Sequence, residues 1–397
     1  MLRSCLIIFL AAFAVRFSGT LRHSPAPDNI YESTKVALTL AKHGAFADPF
    51  IFPTGPTAHV APGYPLVLSL VYRCFGAGTA AEIAKRVLTC AVSSLQYACL
   101  PPLALLLGLS RRVGFSAAIF GALVPLQRYA ESASSWESPW AAVLLMLLTA
   151  MLLQGCGTGY LAACRFGVAW GIALLFAPAL ASIYAGFLWL LRRKARTIAI
   201  SFLTTVLCLL PWAYRNERRL GSWIWLRDNF GLELSISNQD GANARMGSNL
   251  PDYSHPHGSF VEASRVEALG EVEYNRRKLR EALDWIRNNP GHFVRLTAAR
   301  VFYFWFPWAS SGWDRIFLAL VTIASFFGLY ETVRVNAVSA RLVTIIWLLY
   351  PLVFYVIEFD RRYRHPIEWT MLLMAARGAG DLVTCLRASF TNPKIQR

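Results

Sequence analysis

Long apolar runs recur along the whole of this chain, and they decide what it can fold into. They cover residues 2–17, 86–109, 114–127, 140–153, 166–180, 181–191, 197–214, 316–333, 342–358 and 366–386. Backbone placed in hydrocarbon must satisfy its own N–H and C=O groups, so each run is read as a helix. A span needs about 20 apolar residues, and several runs are shorter, crossing only with tilt or local thinning. The predicted fold class is an all-α polytopic membrane protein of about ten transmembrane helices. Interfacial helices are expected in the first outer loop, and a small extracytoplasmic loop domain later. Only 16% of the 397 residues are charged, against about 25% in soluble domains.

Basic residues orient the spans. Arg111, Arg112, Arg165, the 192–196 cluster, Arg334, Arg341 and the Arg387/Lys394/Arg397 tail fall on one side if the N-terminus is cytoplasmic. Loops 20–85, 128–139, 214–315 and 359–365 then face outward, in a bacterial-type plasma (inner) membrane. With so many later spans, the first run is read as an uncleaved helix rather than a signal peptide. The run at 62–75 opens Pro62-Gly-Tyr64-Pro65 and is predicted to be re-entrant or interfacial. The net charge of +16, from 39 basic and 23 acidic residues, is assigned to this loop bias and to basic surface facing phosphates. No basic-aromatic motif or zinc spacing points to nucleic acid. The eight cysteines lie in or near apolar runs, which predicts no structural disulfide.

Three regions follow. Residues 1–213 form an N-terminal transmembrane catalytic module that includes loop 20–85. Residues 214–315 form the outer loop domain, and 316–397 the C-terminal helices and tail. Within the middle region, Leu279, Leu283 and Ile286 predict a helix over 262–289, stopped by Asn288-Asn289-Pro290-Gly291. Residues 237–259 read as an ordered loop. Phe302–Phe306 and Trp308 suit an aromatic belt.

Side-chain chemistry concentrates near the span ends. If 28–42 is helical, Asp28, Glu32, Lys35, Thr39 and Lys42 share one face, with Ile30, Ala37, Leu40 and Ala41 opposite. Burial can lift a carboxylate there toward the range of a general base. The same spacing equally describes a solvated Glu32–Lys35 pair. Arg361-Arg362-Tyr363-Arg364-His365-Pro366 offers guanidinium forks to a phosphate, or snorkels to lipid headgroups. Arg215, Arg218 and Arg219 carry the same two readings. His59 serves a site or merely satisfies a turn. Glu137 stands at a span mouth, where an unused acid is costly.

Several segments together resemble the GT-C superfamily of polyprenyl-phosphate-sugar-dependent glycosyltransferases, in the branch of protein O-mannosyltransferases and aminoarabinose transferases. They are Tyr31-Glu32-Ser-Thr-Lys35-Val-Ala37, Gly44-Ala-Phe46-Ala-Asp48-Pro49-Phe50, Thr54-Gly-Pro-Thr-Ala-His59-Val-Ala-Pro-Gly-Tyr64-Pro65, Pro211-Trp212-Ala-Tyr-Arg215-Asn216, Arg227-Asp-Asn-Phe-Gly231-Leu-Glu233-Leu and Arg362-Tyr-Arg364-His-Pro366. The resemblance implies a GT-C-like fold and an inverting transfer of sugar from a polyprenyl-phosphate donor to a lipid, glycan or protein acceptor. It places the catalytic acid in the first outer loop, at Glu32 with Asp28 as competitor, and another acid at Glu137. Arg362, Arg364, Lys35 and Arg215 are the expected phosphate-binding residues, with His59 and Tyr64 as further site candidates. No Asp-x-Asp pair is present, so no metal or other cofactor is expected, with a divalent ion left open. The alternative function is a polyprenyl-linked glycan flippase, against which stand the scarcity of mid-span charges and the lack of an internal repeat.

Overall fold

The computed structural model describes residues 1–21, 31–124, 136–155, 159–249, 255–307 and 312–391, with side chains in the last stretch through residue 380. Asp28 and Trp308 lie outside the described residues. Among those described, the chain is nearly all helix, with two isolated bridges and no strand. The first half holds α1 (Leu2–Thr20), α2 (Glu32–His43), α3 (Gly63–Phe75), α4 (Thr79–Leu106), α5 (Arg111–Leu123), α6 (Ser138–Leu153), α7 (Tyr160–Phe176), α8 (Ala181–Leu190) and α9 (Ala195–Leu220). There follow α10 (Phe230–Ser237), α11 (Met246–Asn249), α12 (Phe260–Leu269), α13 (Glu271–Asn288) and α14 (Pro290–Trp305). The chain closes with α15 (Gly312–Val335), α16 (Ala337–Leu349), α17 (Leu352–Val356) and α18 (His365–Thr391).

Five helical stretches are long and apolar enough to cross a membrane: α1, α4, α9, α15 and the α16–α17 stretch. Helices α6, α7 and α8 are shorter and apolar. The expected helix over 262–289 is instead two, α12 and α13. They are broken at Gly270, whose φ of +78° lies in the left-handed region that glycine enters without a steric penalty. The expected helix at 28–42 begins at Glu32, because Tyr31 has extended backbone (φ −89°, ψ 146°).

Local chemistry explains α2. Glu32 occupies its first turn, and Lys42 and His43 its last, matching the helix dipole at both ends. Gly44 ends it with φ +68°. Its Val36 and Ala37 are fully buried, one against Trp212 and the other against Tyr64 and Tyr72. Beyond it, Asp48 takes φ +62° and its carboxylate accepts the Gly55 N–H at 2.9 Å, closing a turn that presents Phe50. Phe50 packs with Leu232, Ile236, Ala263, Val266 and Tyr274. The first loop and the 230–274 segment therefore share one core.

The apolar helices meet through small residues. A β-carbon on Gly328 of α15 would collide with the Met374 carbonyl of α18, and one on Gly167 of α7 with Thr204 and the Ser201 carbonyl of α9. Such close approach supplies the dispersion contact that holds helices together in lipid. Thr205 Oγ1 also donates to the Gly167 carbonyl at 2.9 Å. Replacing Gly328 by valine is expected to cost about 1–3 kcal/mol, the usual range for overpacking. Thermal unfolding in detergent should show the loss, while Gly291→Ala, where an added methyl meets nothing within 4 Å, should leave the midpoint in place.

Candidate functional site

One cavity of about 410 Å³ gathers most of the chemistry. Ser138 and Ala141 at the start of α6, Phe176 at the end of α7, Tyr350 just past α16 and Pro366 at the start of α18 all border it. Helix starts and helix ends meet there, so the cavity lies at one end of the apolar bundle. Of the residues expected from the sequence, Glu32, His59, Tyr64, Glu137 and Arg362 line it. Arg227 and Glu233, quoted in the resemblance without a role, line it too, as do Trp136 and Asp360; His255 and His257, which the sequence reading did not single out, complete it. A His-x-His pair in a polar loop, His255 and His257, was a usable signal. Nothing in the spacing tied it to Glu32.

Glu32 faces a group of imidazoles. Its Oε1 lies 3.9 Å from His255 Nδ1 and 3.7 Å from His257 Nδ1. His59 is 2% exposed, and its ring centroid stands 5.5 Å from that of His255. Burial alone would raise the Glu32 pKa, as expected from the sequence. The facing His255, His257 and His59 reverse that and hold it at about 2. Burial meanwhile drives His59 well below the ordinary imidazole range, with His255 adding to the effect and Glu32 opposing it. The carboxylate is thus held in its ionised form.

From Glu32 an aromatic wall runs toward Arg362. Tyr31 stacks on His257 at 6.4 Å and meets Trp136 edge-on at 4.6 Å. The Arg362 guanidinium lies 3.3 Å above the Trp136 ring centre and 3.8 Å from Asp360. Burial opposes the charge of Arg362, but Tyr363, Asp360 and Glu137 outweigh it and raise its pKa. The cavity thus carries a fixed anion at one place and a fixed cation at another, joined by flat aromatic faces of the kind that sugar rings and other planar or apolar groups can cover.

Three expected phosphate-binding residues, Arg364, Arg215 and Lys35, do not line this cavity and make contacts elsewhere. Arg364 is fully buried; it pairs with Glu368 at 2.8 Å and donates to the Trp305 carbonyl and Thr322 Oγ1. Arg215 donates to the Thr57 carbonyl at 2.7 Å and to the Phe46 carbonyl, under Trp212. Lys35 Nζ donates to the Phe50 carbonyl at 2.7 Å. All three cations donate to backbone carbonyl groups. Arg227 lines the cavity instead and acts on His59 electrostatically.

The same cluster can hold a metal ion. Ligand atoms of Glu32, His59 and His255 all lie within 4.8 Å of one another. One carboxylate and two imidazoles are a donor set that suits zinc and similar ions. The buried Nδ1 of His59 has no hydrogen-bond partner among the described residues, so its lone pair or proton is uncommitted. The expectation of no metal rested on the missing Asp-x-Asp pair; this set comes from three distant segments that no spacing rule joins.

Arg364→Ala removes the guanidinium that pairs with the buried Glu368. It is expected to destabilise the protein by about 3–5 kcal/mol, as removal of one partner from a buried pair does. Thermal unfolding in detergent measures this, and unchanged stability would remove Arg364 from its structural role.

No family model matches the chain, and no curated protein matches it. Among solved structures it is similar to ArnT from Cupriavidus metallidurans, whose crystal structure has undecaprenyl phosphate bound. The identity is 14%, the TM-score 0.42, and the match covers 95% of this chain and 78% of that one.

Proposed function

We propose that this chain is an integral membrane glycosyltransferase. It moves a sugar from a polyprenyl-phosphate monosaccharide to an acceptor hydroxyl or amine, with inversion, at the extracytoplasmic face. The observation that carries the reading is that Glu32, Arg362 and Arg227 border one cavity at one end of the apolar helices. A lipid-linked phosphate needs that combination: an apolar bundle for the prenyl chain, fixed positive charge for the phosphate and a carboxylate for the acceptor.

The chemistry follows from the charges. The acceptor donates a hydrogen bond to Glu32, which orients it behind the anomeric carbon. The bond from that carbon to the phosphate oxygen breaks, and its electron pair stays on the phosphate. Arg362 and Arg227 stabilise the charge that builds there. A carboxylate near pKa 2 is a weak base toward a free hydroxyl. Once the acceptor oxygen is bonding to carbon, its proton becomes strongly acidic, and Glu32 takes it then. The products are the glycosylated acceptor, polyprenyl phosphate and one proton. Asp28 competes with Glu32 for this role, and Glu137 is a second acid of the cavity.

The clustered donor atoms of Glu32, His59 and His255 favour a second reading, in which these three residues would hold a divalent ion that would supply positive charge for the phosphate. One assay separates the two. Glu32→Gln is expected to lower transfer from a labelled polyprenyl-phosphate sugar by about 10²–10⁴-fold, the range for loss of acid–base assistance. Under the first reading, chelator treatment leaves wild-type transfer intact; under the second, it abolishes transfer and zinc or another divalent ion restores it. Full transfer by both Glu32→Gln and Asp28→Asn would sink the site assignment.

A further inference from the structure

His59 stands where it does because a carboxyl group far away in the chain holds the loop beneath it. Glu271 is the first residue of α13 and is 6% exposed. Its side chain reaches across to residues 57 and 58. Oε1 accepts the Ala58 N–H at 2.7 Å, and Oε2 pairs with Thr57 Oγ1. Thr57 Oγ1 in turn accepts the His59 N–H at 2.9 Å. The carbonyls of the same stretch are held from the other side. Arg215 donates to that of Thr57 at 2.7 Å, and the Asp228 N–H donates to that of Ala58 at 2.8 Å. The Thr57 N–H reaches the Phe46 carbonyl at 3.3 Å. Every backbone polar group from the Thr57 N–H to the His59 N–H is therefore taken, and Thr57 and Ala58 are fully buried. A buried loop with such complete pairing has one position.

We propose that Glu271 is a positioning residue: through Thr57 and Ala58 it sets where the His59 imidazole stands against Glu32 and His255. It touches neither cavity nor ligand. The proposal rests on the reading that this cavity is the site.

Protonation distinguishes this role from plain packing. Burial pushes the Glu271 pKa up; Thr57 and Ala58 oppose that, Asp228 adds to it and Arg215 opposes it, leaving it at about 8. Arg219 faces Arg215 in turn, and Arg276 faces Asp228. The pKa in the folded chain is thus raised above the ordinary 4.5. The stability this group contributes is fully present below pH 4.5 and is lost as pH rises through about 8. Over that window the clamp, to which Thr57 Oγ1 and the Ala58 N–H donate, passes from a neutral acid to a buried anion beside Asp228. Glutamine resembles the neutral form, since it has the same shape, keeps an acceptor for the Ala58 N–H and does not ionise.

The experiment is hydrogen exchange of the Ala58 and His59 amides in the full chain in lipid nanodiscs, across a pH series and divided by intrinsic rates. In the wild type, protection should fall as pH passes about 8. In Glu271→Gln it should not respond to pH in that range. In Glu271→Ala it should drop roughly tenfold or more at every pH, as loss of a buried hydrogen bond implies. Glu273→Ala, on the exposed side of the same helix, should behave as wild type. A wild-type pH response in Glu271→Gln overturns the proposal, as does undiminished protection in Glu271→Ala. If Glu271→Ala fails to fold, the glutamine variant still decides. Transfer assays form a separate arm, in which Glu271→Gln is expected to keep its kcat above pH 8 better than wild type. If the wild type shows no transfer at all, the proposed function fails while the exchange arm still reports on Glu271.

Discussion

Buried guanidinium groups hold this molecule's helix ends together. A helix leaves its last carbonyls without partners, and in an apolar bundle no water is at hand to take them. Arginine carries five donors on one planar fork. Arg16 of α1 reaches the Gly121 and Ala122 carbonyls near the end of α5 at 2.8 and 2.9 Å. Arg300 of α14 gathers the Ser237 carbonyl, the Asn238 side chain and the Val356 carbonyl, joining the ends of α10 and α17. Arg364 takes the Trp305 carbonyl at the end of α14. Arg215 does the same for the loop that carries His59. Each charge is expensive to bury, and the hydrogen bonds each guanidinium makes to carbonyls and other acceptors offset that cost.

The same accounting explains which parts of the site were legible in the sequence. The apolar runs and the Gly/Pro turns located most helices, because hydropathy and turn chemistry act over a few residues. Glu32 and Arg362 were legible as charges next to span ends. Arg364 and Arg215 carried the same signal, yet their fate depends on which carbonyls the folded chain leaves open. That is decided by contacts such as Arg364 with Trp305, 59 residues apart in the chain. The pairing of Thr57 with Glu271 spans 214 residues and has no local signature at all. The break between α12 and α13 was marked by Gly270, but charge patterning runs straight through it and hides it.

Electrostatics at Glu32 turned on neighbours that the sequence does not place. A lone buried carboxylate is pushed toward neutrality. Three imidazoles from two other segments, at positions 59, 255 and 257, push it the other way and win. The group that the sequence presents as a base of raised pKa is thereby a committed anion. A committed anion orients a donor or binds a cation well. It accepts a proton only from an atom made acidic by bond formation. The site's character therefore comes from the histidine loop as much as from α2.

The cavity is also rigid for a reason independent of its own residues. Phe50 of the first loop sits inside a core made by α10, α12 and α13. Lys35 ties α2 to the Phe50 carbonyl, and Glu271 ties α13 to the His59 loop. Glu32 and His59 thus hang from one shared core rather than from two mobile loops. Moving either out of register would expose Phe50 and unpair the buried groups around Thr57 together, so the two losses add. Preorganisation of this kind holds charged groups in place before any ligand arrives. It also means that changes in α12 and α13, which do not line the cavity, reach the site through packing.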